Sequence, residues 1–197
     1  MRKIFPLMSY AFACVLCLAV VSTAAADVLH DENIDGDLSS DNNLPDIFAL
    51  ADGSNEIIGF TTNNPLDPDY FQLNVPTGFR LTEIILMEYT NGFANNAFLA
   101  IAPGGPISGN GNGHLSSMLI EESMEGTDIL DDLGFQALSG TGFTGPLPEG
   151  DYTFWYQELS DDTTYHFDFV VSAIPEPTSM IVVSALGLAT VVRRRRK

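Results

Sequence analysis

Positive charge is what this chain has least of. Its 197 residues contain 8 Lys and Arg against 26 Asp and Glu, a formal net charge of −18. Seven of the eight bases lie at the extremities, Arg2 and Lys3 at one end and Arg193, Arg194, Arg195, Arg196 and Lys197 at the other, so Arg80 stands alone between them. Residues 27–173 hold 25 acids and that one base, which leaves −24. A body of this kind excludes nucleic acid as a partner, because that binding rests on Lys and Arg set against phosphates. Cysteine is almost as scarce. Cys14 and Cys17 both fall in an apolar stretch near the start. If that stretch is removed, the mature protein has no thiol, which excludes a disulfide scaffold, a thiolate zinc site and a cysteine nucleophile together.

Catalytic patterns are missing as well. No serine stands in a Gly-x-Ser-x-Gly elbow, and the glycine-rich segment 103–113 lacks the lysine and hydroxyl of a phosphate loop, so it reads as a flexible loop. His30, His114 and His166 have no metal-ligand spacing. With so many acids, some pair meets the carboxylate separation of a glycosidase by chance, so acid counting identifies no active site. The expectation is a non-enzymatic protein, with a secreted hydrolase as the third reading.

The two ends carry recognisable physical jobs. Arg2 and Lys3 precede an apolar stretch over about 10–21 and a small-residue exit, Ser22-Thr23-Ala24-Ala25-Ala26. This is the layout of a secretory signal peptide, residues 1–26. Ala24 and Ala26 sit three and one positions before Asp27, where signal peptidase admits small side chains, so the mature chain is expected to start at Asp27. An uncleaved anchor is the alternative. Phe12 ahead of Cys14 is poor for a lipidation motif.

At the other end, residues 174–197, Pro175-Glu176-Pro177 is followed by an uncharged, mostly apolar run over 180–192 and then the Arg cluster. The prolines fix an extended peptide a protease can read, the run can insert as a helix, and the cations stay on the cytoplasmic side. From 178 to 192 a helix would be about 22 Å long, short of the roughly 30 Å hydrocarbon core. It is a marginal transmembrane anchor that snorkelling and local thinning can accommodate. A permanent tail anchor is the plainer alternative.

This tripartite end resembles the PEP-CTERM sorting signal of Gram-negative bacteria. The resemblance implies export, retention in the inner membrane by the C-terminal helix, and recognition as a substrate by an exosortase, a membrane-embedded cysteine protease or transpeptidase. Pro175, Glu176 and Pro177 would be the sorting motif, and Arg193, Arg194, Arg195 and Arg196 the stop-transfer cluster. Such proteins accompany exopolysaccharide production and biofilm formation. The expected destination is the cell surface or extracellular matrix.

Between the ends, period-2 alternation and Gly, Pro and Asn punctuation predict strands over 56–60, 70–75, 81–89, 97–102, 152–159 and 165–172, with weak helical periodicity throughout. Tyr152, Phe154 and Tyr156 share one face, opposite Thr153, Trp155 and Gln157. Tyr165, Phe167, Phe169 and Val171 line a face of the last strand. Ser160-Asp161-Asp162-Thr163 between these strands has the length and chemistry of a hairpin turn, so the two are expected to pair. The fold class is all-β: a single antiparallel β-sandwich, jelly-roll-like, over residues 27–173.

Asp67-Pro68-Asp69-Tyr70-Phe71-Gln72-Leu73-Asn74-Val75-Pro76-Thr77-Gly78, with Leu147-Pro148-Glu149-Gly150-Asp151-Tyr152-Thr153 much later, resembles the bacterial pre-peptidase C-terminal domain. That family is a small β-sandwich appended to secreted enzymes. The resemblance implies an exported module over about 57–173, with residues 104–143 as an insertion.

Two acidic stretches are candidate calcium ligands. Asp31-x-Asn33-x-Asp35-Gly36-x-Leu38 matches the opening of a calcium loop, with oxygen ligands at positions 1, 3 and 5 and glycine at 6, but position 12 is Asn42 rather than a bidentate Glu. An acidic leader whose Asp and Gly make turns is the alternative. Asp67 and Asp69 lie just ahead of a strand, where their oxygens could chelate calcium between loops, with Asp161 or Asp162 as further candidates. Trp155 with Tyr152 or Tyr156 is a candidate sugar platform, with core packing as the alternative. The rival to the sorted surface protein is thus a calcium-stabilised module that binds extracellular polysaccharide or adheres.

Overall fold

The computed structural model describes residues 26–91, 96–135, 138–159 and 162–175. The expected signal peptide through Ala25, Glu176, Pro177, the apolar run and the terminal cluster Arg193 to Lys197 lie outside the described residues. Among the described residues no helix is long and apolar enough to cross a membrane.

Among the described residues nine strands form two sheets. They are β1 (Asp27–Asp31), β2 (Asp46–Ala49), β3 (Asn55–Thr61), β4 (Asp69–Val75), β5 (Phe79–Asn91), β6 (Ala97–Pro103), β7 (Ser116–Ile120), β8 (Gly150–Glu158) and β9 (Thr163–Ala173). One sheet has the order β1-β3-β9-β5 and the other β2-β4-β8-β6-β7. Among the described residues two short α-helices, α1 (Glu32–Asp35) and α2 (Leu130–Phe135), and a 3-10 turn over Glu122–Met124 interrupt them. All six expected strands are present, each within two residues of its expected bounds; β1, β2 and β7 are additional. Most pairings are antiparallel, but β1 lies parallel to β3 and β2 parallel to β4. The purely antiparallel expectation therefore fails at one edge of each sheet, where the acidic leader supplies strands too short and too polar to stand out by alternation.

The expected hairpin of the last two strands does not form. β8 pairs with β4 and β6, whereas β9 pairs with β3 and β5. The connection after Glu158 crosses from one sheet to the other. Both strands carry an aromatic face, and pairing them side by side would have set those faces on one surface. Placing them in opposite sheets turns the faces toward each other. Phe154 meets Phe169 edge-on with ring centroids 5.3 Å apart, and Tyr156 lies 4.0 Å from Tyr165. Phe71, cross-strand partner of Phe154, stacks on it at 5.3 Å. Ile57, Leu73, Ile84, Leu99 and Phe167 complete the inter-sheet core, all essentially inaccessible. Each large side chain removed from water here contributes roughly 1.5–3 kcal/mol.

Residues 104–143 do not project as an open insertion. Gly104 N donates to the Asp151 carbonyl at 2.7 Å, Gly105 N to Gln72 Oε1 at 3.0 Å, and Ile107 is buried. The segment expected to be a flexible loop is thus pinned across the outer face of the second sheet, over Tyr70, Ala100, Ala102 and Trp155. Farther along, Leu86 N donates to the Thr127 carbonyl and Ile129 N to the Ile84 carbonyl. These bonds cover the long edge strand β5, which would otherwise offer its unpaired amides to another chain.

Candidate functional site

Alternation along β4 decides where its first residue points. Phe71, Leu73 and Val75 face the core, and Asp69 shares their parity. Its carboxylate therefore enters the end of the sandwich and is fully buried. Oδ2 accepts a hydrogen bond from Tyr165 Oη at 2.6 Å, a contact between the two sheets. Among the described residues Oδ1 has no hydrogen-bond partner. Tyr156, paired in register with Asp69, has a buried hydroxyl that likewise finds no partner among them.

The leader packs on this end. Asp31 caps α1, accepting from Asn33 N at 3.0 Å, and Asp35 Oδ2 accepts from Asp31 N at 3.0 Å. These bonds satisfy amides that a helix start leaves open. Gly36 then turns the chain at φ 97°, a conformation glycine adopts without Cβ strain. His30 Nε2 donates to its carbonyl at 2.9 Å. Beyond the turn Leu38 is buried, and Tyr70 N donates to the Ser39 carbonyl at 2.9 Å.

The turn brings three carboxylates together. Glu32, Asp37 and Asp69 each place an oxygen within 4.8 Å of the others. Glu32 is fixed, accepting from Leu38 N at 2.8 Å through Oε1 and from Phe60 N through Oε2. Asp37 is exposed. Burial, and then the charge of Glu32, push the Asp69 pKa up to about 9. Glu32 is also raised, chiefly by burial, as is Asp67, by burial and by Asp37. Among the described residues Arg80 is the sole Lys or Arg, and no salt bridge joins it to this cluster. Chemically the arrangement is an oxygen site of mixed burial, suited to a hard divalent cation.

Of the candidate ligands read from the sequence, Asp69 belongs to this cluster. Asp67 stands next to it, near enough to raise its pKa. Asp31, Asn33 and Asp35 are engaged in and around the α1 cap and lie outside the three-carboxylate group. Glu32 and Asp37, which the calcium-loop template passes over, are the leader residues that reach Asp69. The two stretches considered separately thus meet at one place. Asp162 Oδ1 accepts from Asn63 N at 3.4 Å, and Asp161 is outside the described residues.

A second feature lies on the outer face of the second sheet. Trp155, half-buried, meets Phe98 edge-on at 4.9 Å and Tyr70 at 5.7 Å. With Gln157, Leu159, His114 and Asn110 it lines an open groove of about 370 Å³. Tyr152 and Tyr156 point the other way, into the core, and cannot join it. No family model matches the chain, and no curated protein matches it. The two family resemblances rest on the residues that carry them.

Proposed function

We propose that this protein is an exported, non-enzymatic surface or matrix module of a Gram-negative bacterium, cleaved by signal peptidase after Ala26 and sorted as an exosortase substrate through Pro175, Glu176 and Pro177. The order of leader, folded body, proline-acid-proline, apolar run and Arg cluster carries the reading. The body's boundaries agree with it: β1 begins at Asp27, and β9 ends at Ala173, just ahead of the motif. On this reading 180–192 is a transmembrane helix that holds the precursor in the inner membrane, and the sandwich is jelly-roll-like and associated with exopolysaccharide. The test is deletion of 174–197 in a strain that displays the protein. Release into the medium is the expected result, and undiminished surface display would overturn it.

A second reading concerns the body itself, as a module stabilised by calcium. The unpartnered Oδ1 of Asp69 beside Glu32 and Asp37 favours it, because a buried carboxylate facing two others is costly without a counter-charge. A cation there would tie the leader to β4. The purified 27–173 body should melt at higher temperature in calcium than in EDTA, and Asp37→Asn, on the surface, should reduce that difference. Equal melting in calcium, magnesium and EDTA would refute the reading.

A further inference from the structure

We propose that the Trp155 groove is a subsite for a neutral hexose ring of an extracellular glycan. Trp155 and Phe98 give the groove its apolar wall, the kind of surface on which the C–H face of a sugar ring packs. Among the polar groups around them are two side-chain amides, Asn110 and Gln157, which both donate and accept as ring hydroxyls require. The Gln157 backbone is held in the β8–β6 ladder, and its side chain makes no hydrogen bond among the described residues. Asn110 is oriented by its own Oδ1, which accepts from Ser108 Oγ at 2.7 Å and Asn112 N at 3.0 Å, so its Nδ2 is left for a ligand.

The wall behind is preorganised. His114 Nε2 is 2.7 Å from the Ser108 carbonyl, which can only accept, so this nitrogen carries the proton and donates. Nδ1 then accepts from Ser139 Oγ at 3.0 Å, and Ser117 Oγ completes the chain at 2.8 Å from Ser139. On the Asn110 and His114 side a ligand therefore meets fixed groups, which lowers the ordering cost of binding there. The volume, about 370 Å³, is at the small end of ligand sites and accommodates one or two rings.

Charge selects the class of sugar. None of the residues lining the groove is Asp, Glu, Lys or Arg, although residues 27–173 carry 25 acids and one arginine. A neutral ring is accepted there, while a uronate or sulfated chain is repelled by the surrounding carboxylates. The inference rests on the exported-module reading only for the compartment in which the glycan is met; binding itself is a property of the folded body.

Trp155 is the only tryptophan, so its emission reports directly on the groove. The 27–173 body is titrated with cellohexaose, maltohexaose and mannohexaose, with oligogalacturonate as the anionic comparison, each in calcium and in EDTA. At least one neutral hexamer should give a saturable change in emission, and oligogalacturonate none. Gln157→Ala, which leaves the fluorophore and the core in place, should weaken that binding about three- to tenfold, the worth of one or two hydrogen bonds. No change with any neutral hexamer, equal binding of oligogalacturonate, or unaltered affinity of Gln157→Ala would each overturn the proposal. Binding that persists in EDTA separates the groove from the cation site.

Discussion

Asp69→Asn keeps the shape of the buried carboxyl and removes its ability to ionise. In the cation-free protein the Asp69 pKa rises from 3.8 to about 9. Between those values the folded state binds a proton that the unfolded chain has released. Stability is therefore fully present below about pH 4, falls as pH rises through the window, and levels off above about pH 9. From about pH 4 to pH 7 the loss is about 4 kcal/mol, three pH units at about 1.36 kcal/mol each. Asparagine has no such proton, and its Oδ1 still accepts from Tyr165, at a cost of about 1 kcal/mol for the amide hydrogens left without partners. In EDTA the variant should be the more stable protein by a few kcal/mol near pH 8, and close to wild type near pH 4.5. Calcium at a hundredfold excess over Kd narrows that gap without closing it near pH 8, since wild type gains about 2.7 kcal/mol and the variant nothing. Urea midpoints from about pH 4.5 to pH 8.5, in EDTA and in calcium, measure all of this. Since ordinary carboxylates are already ionised above about pH 6, a difference between the two proteins there reports on position 69. Parallel curves would refute the reasoning.

Three further substitutions probe what holds the site in place. In Gly59→Ala the new Cβ would lie 2.3 Å from the Tyr165 ring, so the ring must move off Asp69; a loss of about 1–3 kcal/mol is expected in urea unfolding. Phe154→Ala removes the ring shared by Phe71 and Phe169 and should cost about 3–5 kcal/mol with the fold retained. Ser116→Ala leaves the Leu133 carbonyl without its hydroxyl donor and should cost about 1–2 kcal/mol, with faster amide exchange confined to α2 and its neighbours.

Strands that alternate strongly were legible because alternation is a local consequence of the pleat. Which strand pairs with which is set by the whole core, and the last two strands show the difference. The composition of residues 160–163 suits a hairpin turn as well as a connection between sheets, and the placement of β8 and β9 in different sheets follows from burying two aromatic faces against each other. β1 and β2 escaped notice for another reason: a four- or five-residue edge strand in an acidic leader is held by a neighbour already in the sheet, β3 or β4, rather than by its own pattern. The 103–113 segment reads as an open loop because its glycines dominate the composition, yet Ile107 among them is buried and anchors it.

The cation cluster was half legible, and the missing half follows from geometry. A calcium-loop template selects odd positions, because that loop wraps a central ion. Here the stretch instead forms one helical turn capped by Asp31, which sends Asp31 and Asp35 to backbone amides and leaves Glu32 and Asp37 to reach β4. The parity of β4 was readable all along, and it places Asp69 inward. The buried acids then separate by their donors. Asp168 accepts from Asn55 N, and Glu158 accepts from Leu159 N and the Thr163 hydroxyl. Asp69 has Tyr165 alone, and it is the one that faces two more carboxylates. In a body with a single arginine, counter-charge for that position has to come from solution, as a proton or as a cation, and the pH and calcium dependence of one side chain distinguishes them.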